Sequence, residues 1–287
     1  MLFSNWQRYY TFVPQFALMN NFVTRSLTGV SIVLAVVASI TIHPYAYMGL
    51  FALGTLLLMR ELEDMLCEKK NSLLLFMSVL LGTGIFVMSF LHFNVEMPSK
   101  WMLLLILPLW AIFLVVLFKP MENPFRRIAF YLLLAVYIAI PMFSLNILAF
   151  AEGSYDPYLL LSFFVMVWVN DTGAYLIGVN FGRHRLYERI SPKKSWEGFW
   201  GGLILTVIVA YLLQLWVEQG NTTLWLISGS LVSIFATLGD LVESMLKRSV
   251  NIKDSGKLLP GHGGILDRFD GALFAAPVMS ILFFLYG

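Results

Sequence analysis

Three observations predict an all-α, polytopic integral membrane protein of about nine transmembrane helices with a cytoplasmic N-terminus. Hydrophobic residues make up 59% of the 287 positions and charged ones 13%, against about 25% charged in soluble domains. That leaves too little polar surface to clothe a water-soluble globule. Apolar runs long enough to cross roughly 30 Å of hydrocarbon, about 20 residues each, recur along the whole chain. The basic residues alternate with those runs in the pattern of a protein whose loops face two compartments.

In order, Trp6, Tyr9, Tyr10, Phe12 and Phe16 suit a segment lying in the membrane interface, where aromatic rings are favoured. Arg8 precedes mixed aromatic and polar residues and no A-x-A site follows the first long apolar run, so no cleavable signal peptide is expected. The first two runs, 24–42 and 44–60, are joined only by His43-Pro44, a tight hairpin because proline cannot continue the preceding helix. Further spans are expected at 72–93, 101–118, 128–150, 158–180, 199–217, 224–243 and 271–287. Of the 19 lysines and arginines, all but Lys100 lie in the N-terminal region or in even-numbered connections. The positive-inside rule then sets the N-terminus inside and the C-terminus outside. Cys67 is the single cysteine, which excludes an intrachain disulfide, and no Cys/His cluster suggests zinc. No repeat or low-complexity tract is evident. Function is expected to divide near residue 150, with scaffold or dimer helices over 1–150 and a catalytic region with a cytoplasmic-side site over 151–287.

Charge gathers in the second part. Along "LGDLVESMLKRSV" the helical period places Asp240, Glu243, Ser244 and Lys247 on one face. A solvated helix end with weak ion pairs, worth tenths of a kcal/mol, would look the same. It is followed by "KDSGKLLPGHGGILDRFD", residues 253–270. The Pro260–Gly264 run cannot be regular helix, and glycines such as Gly261, Gly263 and Gly264 let backbone amides approach phosphate oxygens. Residues 240–270 hold Asp240, Glu243, Asp254, Asp267 and Asp270 beside Lys247, Arg248, Lys253, Lys257 and Arg268. A loop facing lipid headgroups is expected to carry cations alone; carboxylates interleaved with cations suit a metal–phosphate site.

Two further features adjoin it. Asp171 lies inside the sixth run, where an aspartate costs about 2.5–3.5 kcal/mol at a helix centre and faces protein or a watery cavity. A buried polar knot between helices is the plainer reading. In "FGRHRLYERISPKKSWEGFWGG", Ser191-Pro192 and Ser195 are expected to cap short helical pieces, putting Lys193 and Lys194 beside anion-attracting amides. Ordinary positive-inside charge is the alternative there, and Trp196 and Trp200 read as interfacial anchors.

The run from Ser244 to Asp270, S-x-x-K-R-x-x-x-x-K-D-x-x-x-x-x-P-G-H-G-G-x-x-D-R-x-D, resembles the signature of the CDP-diacylglycerol synthase (phosphatidate cytidylyltransferase) family. "WVNDTGAYLIGVNFG" and "ISPKKSWEGFWGG" are similar to two more of that family's blocks. Ser195 stands where threonine is usual, and Asn170 where a small residue is common. The resemblance covers roughly residues 168–271. It implies a membrane enzyme, often a homodimer, that joins phosphatidate to CTP and releases pyrophosphate with Mg²⁺. It also implies a two-cation site at Asp240 and Asp267. Asp171, Asp254 and Asp270 are second metal candidates. Lys247, Arg248, Lys253 and Arg268 are expected to hold phosphates, with Lys193, Lys194 and Ser195 at the triphosphate or pyrophosphate. His262 donates to phosphate or shapes the loop. A multi-pass protein of the inner (cytoplasmic) membrane follows, working at the bilayer with no nucleic-acid partner. The rivals are a polyprenol kinase using CTP, a CDP-alcohol phosphotransferase suggested by "DRFDG", and a transporter. The phosphotransferase reading lacks its two downstream aspartates, and a transporter would place ionisable groups at the midplane of repeated halves.

Overall fold

The computed structural model describes residues 15–67, 69–217, 220–256, 258–259 and 263–287, with side chains from residue 27 onward. It is nearly all helical: α1 (Gln15–Ile42), α2 (Pro44–Leu66), α3 (Ser72–Val95), a 3-10 helix (Ser99–Leu105) running into α4 (Ile106–Phe118), α5 (Pro124–Ala149), α6 (Pro157–Phe181), α7 (Trp196–Val217), α8 (Thr222–Ser249) and α9 (Leu266–Tyr286). The α1–α2 turn forms at His43 and Pro44, as the sequence predicts. His43 is extended, its Nδ1 accepts from Tyr45 N at 3.2 Å, and Pro44 opens α2. Asn71, Asp156 and Asn221 cap α3, α6 and α8 through their side-chain oxygens, each satisfying amides a helix start leaves free.

Seven described helical segments are long and apolar enough to cross a membrane, from Ser72–Val95 through Leu266–Tyr286. The two earliest expected spans are not among these seven; the side chains of α1 are described only from Leu27. The described apolar part of α1 is only Leu27–Ile42, and α2 carries Arg60, Glu61, Glu63 and Asp64 in its last two turns. Those charges lower its mean hydropathy, and two of them are buried: Glu63 accepts from Tyr131 Oη at 2.6 Å, and the role of Glu61 is described below.

One expectation is corrected outright. Ser191–Ser195 is not a helical piece but strand β2, paired antiparallel with β1 (Arg185–Tyr187). Lys193 and Lys194 therefore stand on a hairpin between α6 and α7. Ser195 does cap a helix, accepting from Gly198 N at 3.2 Å at the start of α7. Glu197, in the first turn, accepts from Arg183 N at 3.0 Å and contacts His184 Nδ1 at 2.6 Å, which closes the hairpin's base.

α6 packs on α7, α7 on α8 and α8 on α9, while α5 touches α2 and α3 on one side and α9 on the other. Small residues allow the two tightest crossings. A Cβ on Gly202 of α7 would lie 2.9 Å from Asn170 O of α6. A Cβ on Gly239 of α8 would overlap Asp270 O of α9, and one on Gly271 would reach Ala236 Cβ at 3.2 Å. Without a hydrophobic drive between helices in lipid, such close backbone contact is what holds them together. Phe51 of α2 joins the two parts of the chain by meeting Phe164 at 5.7 Å and Phe269 at 6.3 Å between ring centroids.

Candidate active site

The α8–α9 crossing sets a group of three carboxylates. Gly239 against Asp270 and Gly271 against Ala236 bring the helix backbones into contact, so that Asp240 adjoins the contact and Asp270 is part of it. With Glu243, one turn further along α8, they offer oxygens that all lie within 4.8 Å of one another. Glu243 is 0% exposed, and neither of its oxygens accepts a hydrogen bond. The Lys247 ammonium contacts Oε2, and the Asp267 carboxyl lies beside Glu243 as well. Oε1 finds no hydrogen-bond donor among the described residues, which is costly in a buried carboxylate unless a cation stands beside it.

Asp267 does not join that trio in this arrangement. Its Oδ1 takes Lys247 Nζ at 2.7 Å, and its Oδ2 accepts from Gly264 N at 2.9 Å and Ser255 N at 3.2 Å. Lys247 thus bridges Glu243 and Asp267. The segment feeding α9 is tied off by a bond from Leu259 N to Gly263 O at 3.0 Å, with Gly263 at φ +83. A side chain at Gly263 would be strained by that φ and would also strike Asp267 Oδ2.

A carboxylate from the other end of the sequence completes this segment. Glu61 of α2, 7% exposed, accepts from Ser255 Oγ at 2.5 Å, Ile265 N at 2.9 Å and Leu266 N at 2.9 Å. α9 has no side-chain cap of its own, so Glu61 satisfies its first amides across the fold, with its negative charge at the positive end of the helix dipole. A Cβ at Gly256 would lie 2.8 Å from Glu61 Oε2. Glycine there makes room for the carboxylate.

The hairpin and α6 close the opposite side. Lys194 Nζ lies 2.5 Å from Asp240 Oδ2, and Ser244 Oγ reaches Oδ1 at 3.3 Å. Asp171 interacts electrostatically with Asp240, Lys194 and Arg268. Its neighbour Asn170 is buried, accepts from Ser233 Oγ of α8 at 2.6 Å and donates to Asp171 Oδ1 at 3.4 Å. The polar knot and the site-facing carboxylate are therefore one structure.

The other expected residues divide. Arg248 Nη1 bonds Ile252 O at 2.8 Å and so stiffens the chain after α8. Lys193, Lys253 and Asp254 are exposed. The Gly264 amide is already engaged by Asp267. His262, Gly261 and Lys257 lie outside the described residues. Glu61 was invisible in the sequence, and Glu243 stood out only as part of a polar stripe. Tyr137 of α5 gave no signal at all, yet its buried hydroxyl has no hydrogen-bond partner and interacts electrostatically with Glu243 and Asp270.

These donors fit a hard divalent cation. Asp171, Asp240, Glu243, Asp267 and Asp270 carry five formal negative charges, and Lys194, Lys247 and Arg268 three positive ones. The difference is two. Oxygen-only donors at a trio with one unsatisfied carboxylate suit magnesium or a similar ion, which takes one or two carboxylates and leaves positions for phosphate.

The family model described as Cytidylyltransferase family matches residues 23–286. A phosphatidate cytidylyltransferase of Staphylococcus saprophyticus is 44% identical over 160 residues, covering 55% of this chain and 60% of that protein. Those of Staphylococcus epidermidis and Staphylococcus aureus are 48% identical over 126 residues and 50% over 125, each covering 48% of the relative. The chain thus spans about half to 60% of the length of the curated relatives it matches.

Proposed function

Since the chain belongs to the cytidylyltransferase family, we propose that it transfers the cytidylyl group of CTP to phosphatidate, giving CDP-diacylglycerol and pyrophosphate, as its relatives' name indicates. The observation that carries this reading is the trio of Asp240, Glu243 and Asp270 with one buried oxygen unpartnered, set beside Lys194 and Lys247. Both reactants are polyanions. Two unit charges 4 Å apart repel by about 1 kcal/mol in water and about 4 kcal/mol at an effective dielectric of 20, so fixed positive charge is what the reaction requires.

An oxygen of the lipid phosphate attacks the α-phosphorus of CTP. That P–O bond forms as the bond from the α-phosphorus to the α,β-bridge oxygen breaks, and pyrophosphate leaves. The nucleophile is already ionised near neutral pH, so no general base is needed. A magnesium ion held by Asp240, Glu243 and Asp270 would supply Lewis-acid polarisation and charge neutralisation when bound. Lys194 and Arg268 hold phosphate oxygens from the hairpin and α9, aided by Lys193, Arg248 and Lys253. Lys247 provides the second fixed positive centre, beside Asp267; a second metal at that carboxylate would require Lys247 to leave it. Catalysis of this kind is positioning and charge stabilisation.

This reading keeps the wider arrangement expected from the sequence. It has nine spans with the N-terminus inside, a homodimer built on residues 1–150, and a site within 151–287 opening on the cytoplasmic face of the inner membrane. The test is to supply purified protein with phosphatidate, labelled CTP and Mg²⁺. Pyrophosphate and a labelled liponucleotide should form together. Labelled phospholipid without pyrophosphate release would mark a kinase instead, and turnover only with CDP-alcohol and an acceptor would mark a phosphotransferase.

Glu61 offers a second check. In Glu61→Gln one of the accepting oxygens becomes an NH₂ group that faces amide or hydroxyl donors. Turnover is expected to fall about 10- to 100-fold, the usual effect of losing a supporting partner behind functional carboxylates, while CTP still binds. Full activity with an unchanged melting curve would show that α9 does not depend on this cap.

A further inference from the structure

Between α1, α2 and α9 runs a groove walled by Ile32, Val36, Phe51, Gly54, Ile265 and Phe269, enclosing about 140 Å³. Leu53 on its rim is 53% exposed, so the groove opens to the lipid-facing surface. Arg268 is the one charged residue among the described residues of its otherwise apolar lining, and Asp267 is the adjacent residue of the candidate site.

Gly54 is the informative wall residue. It lies in the interior of α2, where glycine is less favourable than alanine by about 0.5–1 kcal/mol. At Gly173, Gly202 and Gly239 close packing accounts for glycine, because a Cβ would strike a neighbouring helix. At Gly54 nothing lies within 4 Å of that position. Glycine here closes no helix contact; its effect is to keep the groove wide.

We propose that this groove holds an acyl chain of the anionic glycerolipid substrate, with Arg268 at the level of the lipid phosphate. The assignment rests on the phosphatidate reading above and adds to it the place of the chain. Charge complementarity selects the occupant. A phosphate monoester joined to hydrocarbon matches an apolar trough that ends at a guanidinium beside the reacting centre. A second apolar depression, walled by Trp168, Thr172, Leu176 and Leu205 on α6 and α7, includes no cation in its lining and adjoins Asp171.

The experiment fills the groove. Gly54→Phe is compared with Gly49→Phe, a substitution on the same helix where a Cβ also meets nothing within 4 Å and which does not line the groove. The full chain is assayed in mixed micelles with dioleoyl- and with dihexanoyl-phosphatidate. Gly54→Phe should lower kcat/KM for the long-chain lipid about tenfold more than for the short-chain one, a selectivity change of about 1.4 kcal/mol. Gly49→Phe should leave that ratio unchanged. An equal ratio in Gly54→Phe and the unsubstituted protein overturns the proposal. Phosphatidate with a photoreactive group on its acyl chain provides a readout independent of turnover. Labelling of α2 and α9 that Gly54→Phe suppresses supports the groove, even if no liponucleotide forms and the reaction assignment fails. Labelling on α6 and α7, or at a contact between two copies of the chain, overturns it.

Discussion

Glu243→Gln is expected to abolish most of the activity while making the metal-free protein more stable. Removing one electrostatic stabiliser from a site of this kind lowers turnover by about 10²–10³-fold. The stability change has the opposite sign because of charge balance. Glu243 is fully buried, its oxygens accept no hydrogen bond among the described residues, and it and four neighbouring carboxylates face three cations. Neutralising it removes one of the negative charges in excess of the cations, relief on the order of 1–3 kcal/mol, and Lys247, which Glu243 shares with Asp267, keeps its bond to Asp267 at 2.7 Å. Thermal melting in detergent with excess chelator should therefore rise in the variant. Added Mg²⁺ should raise the melting temperature of the unsubstituted protein, as any ligand of the folded state does, and should raise that of the variant much less. A variant that turns over normally, or that melts lower without metal, would remove the carboxylate trio from the account.

Lys247→Met should damage the fold itself. Lys247 touches Glu243 and Asp267, and its side chain is only 10% exposed. Methionine fills much of the same volume and leaves two neighbouring carboxylates without their counter-charge. Breaking a buried ion pair from one side costs about 3–5 kcal/mol, a large share of the stability of most proteins. Yield and melting temperature should drop together. The double variant Lys247→Met with Glu243→Gln should recover part of the loss, a coupling on the order of 0.5–3 kcal/mol. If the single variant melts like the parent protein, Lys247 is not the charge that holds these carboxylates together.

What the sequence made legible follows the range of the interactions involved. The His43-Pro44 turn and the helix caps are local, and each was readable from one or two residues. Asp240, Lys247, Asp267 and Asp270 stood out because acids and bases mix where an apolar chain has little reason to hold them. Which of these groups touch was not readable. The grouping of Asp240 with Asp270 depends on Gly239 meeting the α9 backbone, a contact across some thirty positions of chain. Lys247 could as well have faced solvent as Asp267. The Ser191–Ser195 stretch misled for a local reason: serine and proline suit a helix start, but the base of the hairpin is fixed by Glu197, which lies beyond it. Glu61 is furthest from local logic. Nothing near it in sequence distinguishes it from an ordinary charge at a helix end, and its role depends on Ile265 and Leu266, at the other end of the protein.

If the carboxylate trio holds a cation as proposed above, the backbone contact at Gly239 bears on which ions fit. Asp240 and Asp270 stand beside the point where two helices touch, so neither can retreat without parting the helices. Calcium takes six to eight oxygens at about 2.3–2.6 Å, whereas magnesium needs fewer protein donors at about 2.0–2.1 Å. On the magnesium reading proposed above, discrimination by ionic radius would be set less by the acids themselves than by a missing methyl group one position away.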